Sequence, residues 1–189
     1  MNDIDCRAWF EDSSRLIDAC GKAQEQNLRS ITAQVISCFD AGNKLLLCGN
    51  GGSASQAQHF AAEFVNKIFT YRQALAAVAL TTDTSVLTSI GNDLSFDVLF
   101  ARQVEALGRP GDMLLGLSTS GASANVIQAC ESAKKTGMKT VCFIGQEGSE
   151  LSRVADICVP VPSTNTARIQ EVHLCYGHCI CELVEKHYL

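Results

Sequence analysis

Lys44-Leu45-Leu46-Leu47-Cys48, followed at once by Gly49-Asn50-Gly51-Gly52-Ser53 and then by Ala54-Ser55-Gln56-Ala57, is the stretch on which the fold turns. An unbroken apolar run from Leu45 to Cys48, with no polar alternation, reads as a strand buried on both faces, the mark of a parallel sheet covered by helices. The glycines behind it let the backbone turn sharply and approach a bound anion. The Ala-rich segment that follows opens a helix whose first amides point at such an anion. Ser53 with Gln56 three positions on has the form of a capping box at that helix start. The loop fits neither G-x-G-x-x-G nor the P-loop, because no Gly-Lys-Ser/Thr follows it.

The same alternation continues downstream. Apolar runs at 76–80, 113–117, 140–144 and 157–161 read as further buried strands. Helix candidates lie at 54–68, 84–89 with 95–107, 123–136, 149–155 and 166–186. Upstream, Ile17, Cys20, Leu28, Ile31, Val35, Ile36 and Phe39 recur at helical spacing and predict two helices, the second stopped by Gly42-Asn43. Strands alternating with helices predict a doubly wound α/β sheet, with ligands bound beyond the carboxyl ends of the strands. No repeat, low-complexity tract or Pro-rich linker divides the 189 residues. The chain therefore reads as one domain, 1–189, with 1–41 as an N-terminal helical extension packed on it.

A second loop, Ser118-Thr119-Ser120-Gly121-Ala122-Ser123, leads from the third strand into a helix. Its hydroxyls and helix-end amides form a phosphate cradle that needs no Lys or Arg. That suits the composition. Lys+Arg number 15 against 20 Asp+Glu, a net charge of −5, which excludes a general binder of nucleic acid or of anionic membranes. The start, Met1 to Asp5, is acidic where a signal peptide would be basic, so a cytoplasmic location is expected. The 10 cysteines form no C-x-x-C pair and read as small hydrophobes, Cys175 and Cys179 of the last helix included, with Cys181 pointing elsewhere.

His59 and Glu63 lie four apart on the helix leaving the Gly-rich loop, so they share a face and can ligate a metal or work as an acid/base pair. The final helix adds Gln170, His173 and His178 in an apolar stretch. Gln170 and His178 are eight residues apart, about 12 Å along the axis, and meet one ion only if it sits between them. His173 reads as a core histidine and His187 as a surface one.

Residues 46–53 together with 118–123 resemble the sugar isomerase (SIS) domain, and the likeness runs over nearly the whole chain. The segments 57–63, 80–83, 90–93, 102–108 and 167–171 are similar to the phosphoheptose isomerase group within it. The resemblance implies a three-layer α/β/α fold on a five-stranded, flavodoxin-like parallel sheet with added N-terminal helices. It implies conversion of sedoheptulose 7-phosphate to D-glycero-D-manno-heptose 7-phosphate on the way to ADP-heptose and lipopolysaccharide. It also implies one Zn2+ per subunit on His59, Glu63, Gln170 and His178, with Glu63 as base and His178 as acid. Substrate contacts are expected from Asn50, Gly51, Gly52, Ser53, Glu63, Asn92, Asp93, Ser118, Thr119, Ser120, Ser123 and Gln170, in a cytoplasmic homotetramer with active sites near subunit contacts. A carboxylate on zinc is a poorer base, so Glu63 and His178 cannot be full ligands and free catalysts at one instant. Either coordination loosens when substrate arrives, or zinc polarises the carbonyl while one residue is released. Lys67, Tyr71-Arg72-Gln73 and Ala167 depart from parts of the family pattern. The alternative is a non-catalytic regulatory SIS protein, a replication-initiator-associating paralogue that tetramerises and binds a partner protein; the presence of both Glu63 and His178 favours the enzyme.

Overall fold

The computed structural model describes residues 5–189; the acidic start read over residues 1–5 lies, save Asp5, outside them. The N-terminal segment is one helix, α1 (Cys6–Asp40), and not the two expected. Its single interruption is Gly21, and an interior glycine costs only about 1 kcal/mol. The stripe of Cys20, Leu28, Ile31, Val35 and Phe39 runs across that point and is buried in one continuous core. Asp5 caps the start by accepting the amides of Arg7 at 2.9 Å and Ala8 at 3.2 Å.

Five strands follow, β1 (Leu45–Gly49), β2 (Ala77–Ala79), β3 (Met113–Ser118), β4 (Lys139–Ile144) and β5 (Ile157–Pro160), in the order β2-β1-β3-β4-β5. All pair in parallel, with Gly49 opposite Leu117 and Ser118 opposite Ile144 at the carboxyl ends. Between them come α2 (Gly52–Val65), α3 (Thr84–Asp93), a 3-10 turn at Phe96–Val98, α4 (Leu99–Leu107), α5 (Ala124–Lys135), α6 (Leu151–Val154) and α7 (Thr166–His187). Alternate strand residues feed two cores. Leu45, Leu47, Met113, Leu115 and Leu117 pack on the face covered by α1, α2 and α7. Leu46, Cys48, Leu114, Cys142 and Ile144 pack on the opposite face, under α4 and α5. The unalternated apolar runs have this cause: both faces of the sheet are covered. Because β2 and β3 flank β1, the chain leaves β1 and β3 toward opposite faces, and the crevice between those two exits is where open α/β sheets bind ligands.

The cysteines of the strands pack as expected, Cys48 and Cys142 fully buried. Cys175 and Cys179, expected in the core, are exposed instead. They line a groove between α1 and α7, because α7 turns Val172, Tyr176 and Ile180 to the sheet and its cysteines to the other side. Cys181, by contrast, is buried.

His173 is wholly buried, and its Nε2 donates to the carbonyl of Ile144 at 3.1 Å. Burial pushes its pKa down to about 4 from an ordinary 6.5. As pH falls below the unfolded value, the unfolded chain takes up the proton first, so this contribution is complete above about pH 6.5 and lost toward pH 4. Over the full window the loss is about 3 kcal/mol, and about 2 kcal/mol of it falls between pH 7 and 5. Urea unfolding at those two pH values should show that extra drop in the wild type relative to His173→Gln. Equal drops in both would assign the acid sensitivity to other groups.

Candidate active site

The loop after β1 and the loop after β3 meet. Asn50 and Asn125 exchange two side-chain hydrogen bonds, each 2.9 Å, joining the Gly-rich turn to the first turn of α5. Asn125 was not among the expected residues; its only signal is a polar side chain just inside a helix that follows a hydroxyl-rich loop. At the β3 exit, Ser118 Oγ lies 2.8 Å from Ser123 Oγ and 3.4 Å from Ser120 Oγ, and accepts the Gly121 amide at 3.1 Å. Ser123 is the N-cap of α5, whose first amides lack intrahelical acceptors and carry the positive end of the helix dipole. Thr119 and Ser120 open into a cavity of about 250 Å³ whose other walls are Gln146, Ser163, Thr164 and Thr166. Ser163 and Thr164 were not among the expected residues, although Ser163 to Asn165 is a polar run directly before α7.

The expected capping box does not form. Gly51, at φ 55°, is the N-cap of α2, so Ser53 falls inside the helix, and Gln56 Nε2 instead donates to the backbone carbonyl of Gln170 at 2.7 Å. The Gln170 carboxamide rests on Gly52 so closely that a Cβ there would come within 2.6 Å of Nε2. Asn92 and Asp93 are exposed at the end of α3, where Asn92 donates to Asp93 at 2.8 Å. Among the described residues no hydrogen bond links them to the two loops.

Two turns into α2, His59 and Glu63 meet His178 of α7. His59 Nε2 is 2.8 Å from His178 Nε2 and 3.4 Å from Glu63 Oε1, and the ligating atoms of all three lie within 4.8 Å of one another. The fully buried Phe60 supports both imidazoles, its ring centroid 6.0 Å from that of His59 and 6.2 Å from that of His178. His59 keeps 46% of its side chain exposed and Glu63 18%, so the group opens to the surface of the chain. Gln170 comes in at the start of the same helix, its carboxamide against Gly52. Gly52 precedes His59 by seven residues, two turns along one face of α2. Two imidazoles and a carboxylate are a donor set that zinc takes readily. A tetrahedral ion at about 2.0–2.1 Å from two nitrogens holds them about 3.3 Å apart, within half an ångström of the spacing here. The residues fit a metal, and a carboxylate beside two imidazoles fits proton transfer equally well.

A parallel five-stranded sheet with a hydroxyl-rich helix start at the switch point, and two imidazoles and a carboxylate two turns along α2 from the Gly-rich loop, is the arrangement of a sugar isomerase (SIS) domain. The SIS domain family model matches residues 8–145. The chain is 55% identical over 165 residues to a phosphoheptose isomerase of Roseiflexus sp. (strain RS-1), covering 87% of this chain and 84% of that one. It is 48% identical over 178 residues to that of Desulfovibrio desulfuricans, with 94% and 85% covered. The solved phosphoheptose isomerase from Neisseria gonorrhoeae superposes with a TM-score of 0.90 at 43% identity, over 95% of this chain and 96% of that one. The chain belongs to the phosphoheptose isomerase family. These relatives lend no support to the regulatory alternative.

Proposed function

We propose that this enzyme converts sedoheptulose 7-phosphate to D-glycero-D-manno-heptose 7-phosphate, the aldose used for ADP-heptose and the lipopolysaccharide core, with Glu63 and His178 carrying the proton transfers. The observation that carries this reading is the convergence of His59 and Glu63 with His178, which lies 119 residues beyond His59 in the chain. Ser118, Thr119, Ser120, Ser123 and the first amides of α5 take the phosphate. Asn50, Gly51, Gly52, Ser53 and Gln170, at the adjoining helix start, face the sugar hydroxyls, with Asn92 and Asp93 on the solvent side. Glu63 takes the carbon-bound proton and returns it to the neighbouring carbon. His178 moves the proton between the hydroxyl and carbonyl oxygens, so that substrate and product are linked by an enediol. His59, its Nε2 2.8 Å from His178 Nε2 and 3.4 Å from Glu63 Oε1, is the third member of the group.

His59, Glu63 and His178 would hold one zinc ion per subunit, with Gln170 as the fourth donor suggested by resemblance. When bound, the ion polarises the substrate carbonyl. The one domain reads as acting in a cytoplasmic homotetramer, in keeping with the exposed flank of the site. No described helix is long and apolar enough to cross a membrane.

The test is direct. Purified protein should isomerise sedoheptulose 7-phosphate, lose the activity to a chelator and regain it with zinc. Ser120→Ala should raise KM about five- to thirtyfold, the worth of about 1–2 kcal/mol for one hydrogen bond to a charged group. No turnover under any metal loading would overturn the assignment, and an unchanged KM in Ser120→Ala would move the phosphate elsewhere.

A further inference from the structure

Arg72 and Glu185 are a buried pair of opposite charges that the chemistry above does not use, their side chains 1% and 3% exposed. Glu185 stands on α7 seven residues beyond His178, two turns on and therefore on the same face. Its carboxylate accepts the amides of Ile68 and Phe69, each at 2.8 Å, and of Thr70 at 2.9 Å, in the loop that leaves α2. Arg72, further along that loop, sets Nε 3.9 Å from Glu185 Oε2 and turns its two Nη atoms back onto α2. Nη2 donates to the carbonyl of Glu63 at 2.8 Å, and Nη1 to those of Phe64 at 2.8 Å and Gln73 at 2.7 Å.

Glu63 and Phe64 belong to the last turn of α2, whose carbonyls have no donor within the helix. A rigid guanidinium fork bridges two of them in a fixed planar geometry, which an ammonium on a flexible stem does not hold. α2 and α7 are thus joined twice, at His59–His178 and again through Glu185, the loop and Arg72, and Glu63 lies between the two joints. A buried ion pair seldom adds stability over apolar packing, so stability alone does not account for this one. We infer that Arg72 and Glu185 are positioning residues for the isomerisation, holding the last turn of α2 against α7 so that Glu63 keeps its place beside His59 and His178. The inference rests on the reading of Glu63 and His178 as the proton-transfer pair.

The experiment compares the wild-type full chain with Arg72→Lys, Glu185→Gln and Glu63→Gln. Steady-state kinetics on sedoheptulose 7-phosphate are measured together with the proton–nitrogen correlations of the imidazole rings, of which the chain has only 4. Arg72→Lys keeps the charge facing Glu185 but loses the double bridge. In both Arg72→Lys and Glu185→Gln kcat should fall about ten- to a hundredfold, the scale of an ångström's misplacement, with KM within about twofold. The His59 and His178 signals should move, while His173, anchored on the Ile144 carbonyl, should not. A folded Arg72→Lys with native kcat and unmoved signals overturns the inference, as does a His173 shift as large as the others, which marks general loosening. If Glu185→Gln does not fold, Arg72→Lys decides, since it leaves the three amides of Glu185 in place; failure of both to fold makes the pair structural and also overturns the inference. Native turnover in Glu63→Gln would remove the acid/base reading itself. Its loss there, with native kcat in Arg72→Lys, would remove only the positioning role.

Discussion

Glu63→Gln should lower kcat by about two to four orders of magnitude, the usual worth of a positioned general base, while leaving KM close to native. The amide keeps the size of the carboxylate but removes its negative charge and with it the capacity to accept a proton. The fold should hold, because Arg72 grips the backbone carbonyl of residue 63 and not its side chain. Phosphate affinity should hold as well, since the cradle is built from groups of β3 and α5, and residue 63 belongs to α2. Glu63 is also a candidate metal ligand, so the measurement belongs at saturating zinc with metal content determined in parallel. Loss of turnover at native metal content identifies the proton transfer; loss that follows metal content assigns Glu63 to coordination. Near-native turnover would sink the proposed base.

Gly177→Ala should damage both stability and catalysis. A methyl group on an exposed helix glycine normally stabilises by up to about 1 kcal/mol. Gly177, however, faces Phe60, and a Cβ there would overlap the phenyl ring at three of its carbons. That ring is 1% exposed, and the void it lines with Gly177 is only about 10 Å³, too small to take up the overlap, so α2 and α7 must separate. Overpacking of this kind costs about 1–3 kcal/mol, and each kcal/mol lowers Tm by about 2–4 °C in a chain of this size. The residues beside the collision are His59 and His178, whose nitrogens touch at 2.8 Å, so turnover should fall about tenfold or more along with Tm. A variant melting at or above the wild type would show that the helices yield easily, and would undercut the view that their spacing sets the site.

The strands and the loops at their carboxyl ends were legible from residue order, because each rests on interactions within a few residues, and strands apolar on both faces implied parallel pairing. A strand covered on both faces must be apolar throughout, as 45–48 and 141–144 are, and a glycine-rich turn or hydroxyl-rich helix start declares its backbone needs locally. The i, i+4 pairing of His59 with Glu63 is local in the same sense. The unbroken α1 was missed because a lone glycine is a weak local signal, and only the continuous packing along the helix outweighs it. The rest of the site depends on contacts between distant segments. That His178 reaches His59, that Asn50 finds Asn125, that Gln170 settles on Gly52 and that Arg72 turns back to Glu63 follow from how closely α7 approaches α2 and how β3 aligns with β1. Those distances are set by side-chain volumes such as the missing Cβ of Gly177 against Phe60, and a helical period specifies which face is buried, not what will be found opposite it.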